Sequence, residues 1–138
     1  MRKTAKYIAA ALLVGLCVTL SACQGGDTSQ VQRTIGESQT YTQPEIEKAM
    51  DAVESYFRKN FDGCSLLELT YDSKWDPQAA EWAETADADK AIVLTSSFYV
   101  DPDGGDGSLE QDYTYRNWKW IMVKNAFGQW EHWDHGYG

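Results

Sequence analysis

A chain of 138 residues has room for one folded domain, not two. Its 12 Lys and Arg face 21 Asp and Glu, a net charge of −9, which excludes non-specific DNA or RNA binding, where cations must replace phosphate counterions. Hydrophobic residues at 43% and aromatic residues at 13% are too abundant for a disordered chain.

Arg2, Lys3 and Lys6 form a positive n-region. Ile8 to Leu20 is a 13-residue apolar stretch interrupted only by Gly15 and Thr19. A membrane span needs about 20 such residues, so this length suits a secretory h-region, with an uncleaved membrane helix as the alternative. Leu20-Ser21-Ala22-Cys23 follows and resembles a bacterial lipobox. The resemblance implies that residues 1–22 are a signal peptide and that Cys23 is lipidated, with palmitate-type chains, on the outer face of the cytoplasmic membrane. One acyl chain binds a bilayer only marginally, at about 0.8 kcal/mol per buried CH₂, whereas a multi-chain modification anchors permanently. Losing the three leader cations leaves nine basic against 21 acidic groups, a net −12 that an anionic surface would repel. With Cys17 removed and Cys23 acylated, only Cys64 remains, so no internal disulfide forms. A lone thiol of this kind is more often a small buried hydrophobe than a reactive group.

Residues 24–40 are polar, rich in Gly, Ser, Thr and Gln, and without periodicity. With Cys23 they read as a flexible tether, 23–40, whose 17 coil residues would span roughly 20–25 Å. The globular domain is expected over 41–138. Thr42-Gln43-Pro44-Glu45 is a capping box with Pro in the first turn. Ile46, Ala49, Met50, Val53, Phe57 and Phe61 then repeat at helical spacing, predicting a helix over about 43–61. Cys64–Tyr71 alternates as a strand. Asp76-Pro77 starts a shorter helix with Ala79, Trp82, Ala83 and Ala86 as its apolar stripe. Two β-rich runs, Ala91–Val100 and Tyr113–Asn125, precede a turn at 125–128 and a last strand, Trp130–His135.

This order, α-β-α-β-β-β, predicts an α+β fold. A long N-terminal helix and a short second helix should pack on one face of a curved four-stranded antiparallel sheet, as in cystatin-like and NTF2-like rolls. That analogy carries no function.

Gly63-Cys64-Ser65-Leu66, Glu68-Leu69, Tyr71-Asp72, Ala91-Ile92-Val93-Leu94, Ser96-Ser97-Phe98, Gly104-Gly105-Asp106-Gly107-Ser108-Leu109, Trp118, Trp120-Ile121, Trp133 and Gly136-Tyr137 stand out together. They resemble an uncharacterised domain of Gram-positive bacteria. It occurs in small lipoproteins and as an extracytoplasmic appendage of membrane proteins, some resembling sensor metallopeptidases. The resemblance covers 41–138 and implies a portable domain that works outside the membrane; it brings no catalytic residue.

Asp101, Asp103 and Asp106 fall within one Gly-rich loop, which suggests a weak calcium loop. Against an EF-hand, Asp101 and Asp103 fit positions one and three and Asp112 position twelve, but Asp106 stands where Gly is required. Turn geometry explains the same residues without a metal. His132 and His135 flank Asp134, and in a regular strand a spacing of three puts the rings on opposite faces. A shared metal would need a bulge there and a third ligand. No G-x-S-x-G, H-E-x-x-H or phosphate-loop motif is present.

Trp118, Trp120 and Met122 share one face of a strand, and Trp130 and Trp133 lie on the next in opposite phase. Core filling accounts for bulky rings in a small domain without disulfides. Tryptophans on both faces of one ribbon cannot all meet one helix, so Trp118, Trp120, Trp130 and Trp133 are candidates for a binding surface. The sequence therefore leans away from an enzyme and toward a lipid-anchored extracytoplasmic binding module for a protein or envelope ligand. The alternatives are a small-molecule pocket protein or enzyme on an NTF2-like scaffold, using His132, Asp134 and Glu68, and a calcium-stabilised structural domain.

Overall fold

The computed structural model describes residues 25–137. The leader and Cys23 lie outside the described residues. The elements are β1 (Gln32–Ile35), α1 (Gln43–Asn60), β2 (Cys64–Tyr71), α2 (Asp76–Thr85), β3 (Ala91–Val100), β4 (Tyr113–Lys124) and β5 (Trp130–Gly136), with one 3-10 turn, Ser73–Trp75, leading into α2. The fold is α+β. The sheet order follows the chain, β1-β2-β3-β4-β5. Strands β2 to β5 are antiparallel neighbours, and β1 lies parallel to β2.

The sheet thus has five strands and is mixed, where four antiparallel strands were expected. The added strand comes from the segment read as tether. Leu66 N–H donates to Asp27 O at 2.8 Å, Gly36 N–H donates to Tyr71 O at 3.0 Å, and Gly26 N–H donates to Arg58 O at 3.1 Å. Arg33 holds the strand to α1 through Asp51 and Glu54, both at 2.7 Å. Only Ile35 of β1 is even partly buried. An edge strand that buries almost nothing shows no hydrophobic period, so composition alone reads it as coil.

The two helices lie on opposite faces of the sheet, which corrects the one-face arrangement. Successive strand residues point to opposite sides. Ile92, Leu94, Phe98, Trp120 and Met122 meet Ile46, Met50, Val53 and Phe57 of α1 in the main core. Val93 and Ile121 meet Ala79 on the other side, flanked by Trp75 and Trp82. Ala91-Ile92-Val93-Leu94 is buried throughout because both of its faces are covered.

Glu45 ties the start of α1 to the sheet. It completes the capping box with Thr42 and pairs with Lys124 at 2.8 Å and Lys90 at 3.0 Å. The Lys124 ammonium, then the Thr42 N–H and Lys90, hold its carboxyl down at about 2 against the opposing effect of burial. A carboxyl depressed on folding stabilises above its unfolded value, 4.5 here, and that contribution is lost as pH falls toward 2. Thermal unfolding followed from pH 5 to pH 2 should show the midpoint falling, and Glu45→Gln should lower it at pH 6 while flattening that fall. An unchanged slope in the variant would remove Glu45 from this role.

Candidate functional site

The last two strands assemble the site through one irregularity. Met122 of β4 faces His132, and its neighbour Ile121 faces Asp134, so Trp133 is an extra residue in β5. The bulge shifts the side-chain phase by one. His132 stands opposite Met122 and His135 opposite Trp120, and both partners belong to the α1-side core. Directly opposed residues share a face. The expectation of opposite faces is therefore overturned: His132 Nε2 and His135 Nδ1 lie 2.9 Å apart.

The pair is wrapped in aromatic rings. His132 stacks on Tyr56 of α1 at 3.8 Å between centroids and 9° between planes. His135 lies 5.3 Å from Trp120, 5.5 Å from Phe61 and 5.7 Å from Trp118. One ring nitrogen must donate and the other accept, so a neutral pair fits the bond and a doubly protonated pair breaks it. Burial lowers both imidazoles from 6.5; His135 further lowers His132, and Asp134 opposes the shift in each.

Beside His135 opens a cleft of about 380 Å³. One wall is the end of α1 with the turn after it, Tyr56, Phe61 and Asp62. Trp118 and His135 of the sheet form the floor side, and Asp106 and Leu109 of the loop 101–112 form the far wall. The loop is held by Asp101 N–H to Gly63 O at 2.9 Å and Gly105 N–H to Asp62 O at 2.8 Å. Gly104 is buried against Gly63, and a Cβ on either would overlap the other's backbone.

Asp106 of that loop serves a turn. Asp106 accepts from Ser108 N–H at 2.9 Å and from its hydroxyl. Among the described residues no three His, Cys, Asp or Glu side chains converge on a metal position. Asp101, Asp103 and Asp106 are thus not gathered into a three-carboxylate site of the kind a calcium loop needs.

The four candidate tryptophans separate. Trp120 is fully buried, its indole N–H donating to Ser96 Oγ at 2.8 Å, so it belongs to the core and to no surface. Trp130 is partly buried and donates to Glu45 O at 3.1 Å. Trp133, the bulge residue, is 45% exposed. Trp118 lines the cleft, and its buried Nε1–H has no partner among the described residues. Glu68 donates nothing to this site: it accepts from Ser97 Oγ at 2.9 Å on the opposite side of the sheet from Leu69, which is in the α1-side core. The grouping of His132, Asp134 and Glu68 is thus broken. Asp134 instead accepts from His135 N–H at 2.8 Å. Cys64 borders the cleft but is 2% exposed, and burial, then Asp101, Asp106 and Asp62, push its thiol up to about 11. A thiol held protonated is no nucleophile at neutral pH.

Sequence reasoning missed Tyr56 and Asp62. Tyr56 sits three residues after Val53 on the flank of the helical stripe, and that spacing was its available signal. Asp62 had none, because its place is set by the turn between α1 and β2.

Compared with protein-family models, curated proteins and solved structures, the chain matches none.

Two outcomes test this geometry. Gly104→Ala forces Gly63 aside and should lower the unfolding free energy by about 1–3 kcal/mol, read from chemical denaturation; an unchanged midpoint would mean that the contact is not held in solution. The two imidazoles are depressed below 6.5, so the unfolded chain binds more protons in the window beneath that value. Their contribution is complete above pH 6.5 and falls as pH drops through the folded values. Thermal midpoints should decline from pH 7 to pH 5, and His135→Gln should remove part of that decline.

Proposed function

We propose that this domain is a lipid-anchored extracytoplasmic binding module that takes a small ligand in the cleft between the end of α1 and the loop 101–112. The carrying observation is the cleft itself: about 380 Å³, with Tyr56, Phe61, Trp118 and His135 against carboxylate-bearing turns. Small-molecule sites are concave, mostly preformed and lined by aromatic groups with a few polar ones. The resemblance to a portable extracytoplasmic domain supports the same reading. Binding is preferred to catalysis because the thiol at the cleft is held protonated and Glu68 lies on the other side of the sheet from His132.

Anchoring rests on the lipobox resemblance around Cys23. No helix of the described residues is long and apolar enough to cross a membrane. Gly26 is docked on the domain, its N–H bonding Arg58 O beside the α1–β2 turn. Three residues of chain reach about 11 Å at most. A lipid on Cys23 would therefore hold the cleft end of the domain close to the bilayer, in place of the 20–25 Å spacing of a free tether.

Both parts are open to test. In cells fed a labelled fatty acid, the full chain should carry label and sediment with membranes, and Cys23→Ser should lose both; membrane retention without label would defeat the lipid anchor. For the cleft, thermal unfolding of the chain from Gln24 onward would be run against amines, amino acids, sugars and nucleosides. A ligand at a hundredfold excess over its dissociation constant adds about 2.7 kcal/mol of stability. A shift abolished by Leu109→Trp, which fills the cleft, is the expected result; a shift unaffected by that variant would place binding elsewhere.

A further inference from the structure

We propose that the cleft selects an organic ammonium group, an inference that rests on the cleft being the binding site. Tyr56 of α1, Phe61 of the turn after it and Trp118 of β4 meet there. Phe61 lies 6.5 Å from Tyr56 and 6.5 Å from Trp118, at 59° and 84°. Phe61 is 7% exposed and backs the site from the core, whereas Tyr56 and Trp118 are only partly buried and keep ring surface at the cleft, where a cation gains most from ring faces. Asp62 and Asp106 stand at the same cleft, and no Lys or Arg is among its lining residues. Of the other lining groups, Cys64 is held protonated and His135, lowered by burial, is neutral at pH 7, so neither adds positive charge.

Each alternative ligand class meets an obstacle. An anion would face two carboxylates with no cation to receive it. A neutral apolar ligand would strip water from those carboxylates with nothing in return. A bare metal ion lacks ligands, since no three donor groups converge among the described residues. An ammonium carried on carbon suits the carboxylates and the exposed ring surface together: its charge pairs with Asp62 and Asp106, and its methyl or methylene shell packs on Tyr56 and Trp118. A volume of about 380 Å³ is at the low end for ligand sites, which suits a small headgroup. The chain's 21 acidic against 12 basic residues also favour the approach of cations. Such a group exists free in solution and on zwitterionic lipids, and the anchored domain would hold its cleft near both.

The test pairs choline with 3,3-dimethylbutan-1-ol, which has the same shape without the charge. Both are titrated into the chain from Gln24 onward, followed by tryptophan fluorescence and thermal midpoint. Choline should bind at least about tenfold more tightly, a difference of about 1.4 kcal/mol. Asp62→Asn with Asp106→Asn should bring choline to the level of the alcohol while leaving the ligand-free midpoint within a few degrees of wild type. Vesicles of phosphatidylglycerol with and without phosphatidylcholine separate the sources: choline-dependent sedimentation points to a headgroup, and its absence beside tight binding of free choline points to a soluble cation. Equal binding of choline and the alcohol would overturn the selection for charge and leave the cleft as the site. Binding of neither choline nor phosphatidylcholine vesicles would also overturn the proposal, while the cleft would still stand or fall on the Leu109→Trp comparison.

Discussion

Gly104 rests against Gly63 with no space for a side chain on either, and the open end of this molecule is built around that contact. It lets the backbone of the loop 101–112 bond the backbone of the α1–β2 turn, at Gly63 O and Asp62 O. Without it the loop would be a hairpin tip projecting into solvent. With it the loop becomes a wall, and the space it encloses against Trp118 and Tyr56 becomes a cleft. Two glycines are required because backbone can approach backbone this closely only where no Cβ intervenes. At Gly63 a positive φ of 73° adds a second reason for glycine.

The opposite wall depends on the single extra residue in β5. A regular strand would keep His132 inward but send His135 to the face away from α1 and out of contact with Phe61, Trp118 and Trp120. The bulge at Trp133 instead brings His135 inward beside His132 and leaves the indole of Trp133 exposed. Burial of a paired, neutral His132 and His135 then removes positive charge from the region at neutral pH. The acidic character of the cleft comes from Asp62 and Asp106, and the neutral imidazoles leave it unopposed. Structure and electrostatics are therefore coupled: the geometry that aligns the rings also decides their protonation.

Covering both sheet faces explains how a small domain without a disulfide among its described residues is held together. The α1 side carries most of the large rings, from Phe57 and Phe98 to Trp120. The α2 side is thinner, resting on Ala79, Val93 and Ile121 with Trp75 and Trp82 at its margin. Arg33 binds the middle of α1 to β1, and Glu45 binds its start to the β3–β4 end of the sheet, through ion pairs. The helix is thus clamped on its polar flanks as well as on its apolar stripe.

Local signals made α1, its capping box, β2, β3, β4 and β5 legible, because each is encoded by neighbours in the chain: a 3.6-residue stripe, a two-residue alternation or a cap at fixed offset. The α+β class followed from their order. The edge strand β1 was hidden, since Gln32, Arg33 and Thr34 remain exposed and leave no period to read. The helices' placement was half visible in the unbroken run Ala91-Ile92-Val93-Leu94, which already implies two covered faces. Nothing local announced the bulge at Trp133 or the meeting of Gly63 with Gly104, 41 positions apart in the chain. What the sequence determined by itself was every helix and strand but β1, their order and the acidic balance. What only the tertiary structure decided was the cleft, because its walls come from α1, β4, β5 and a distant loop. Their alignment depends on one bulge and one glycine contact, both relations between segments that no window of neighbouring residues contains.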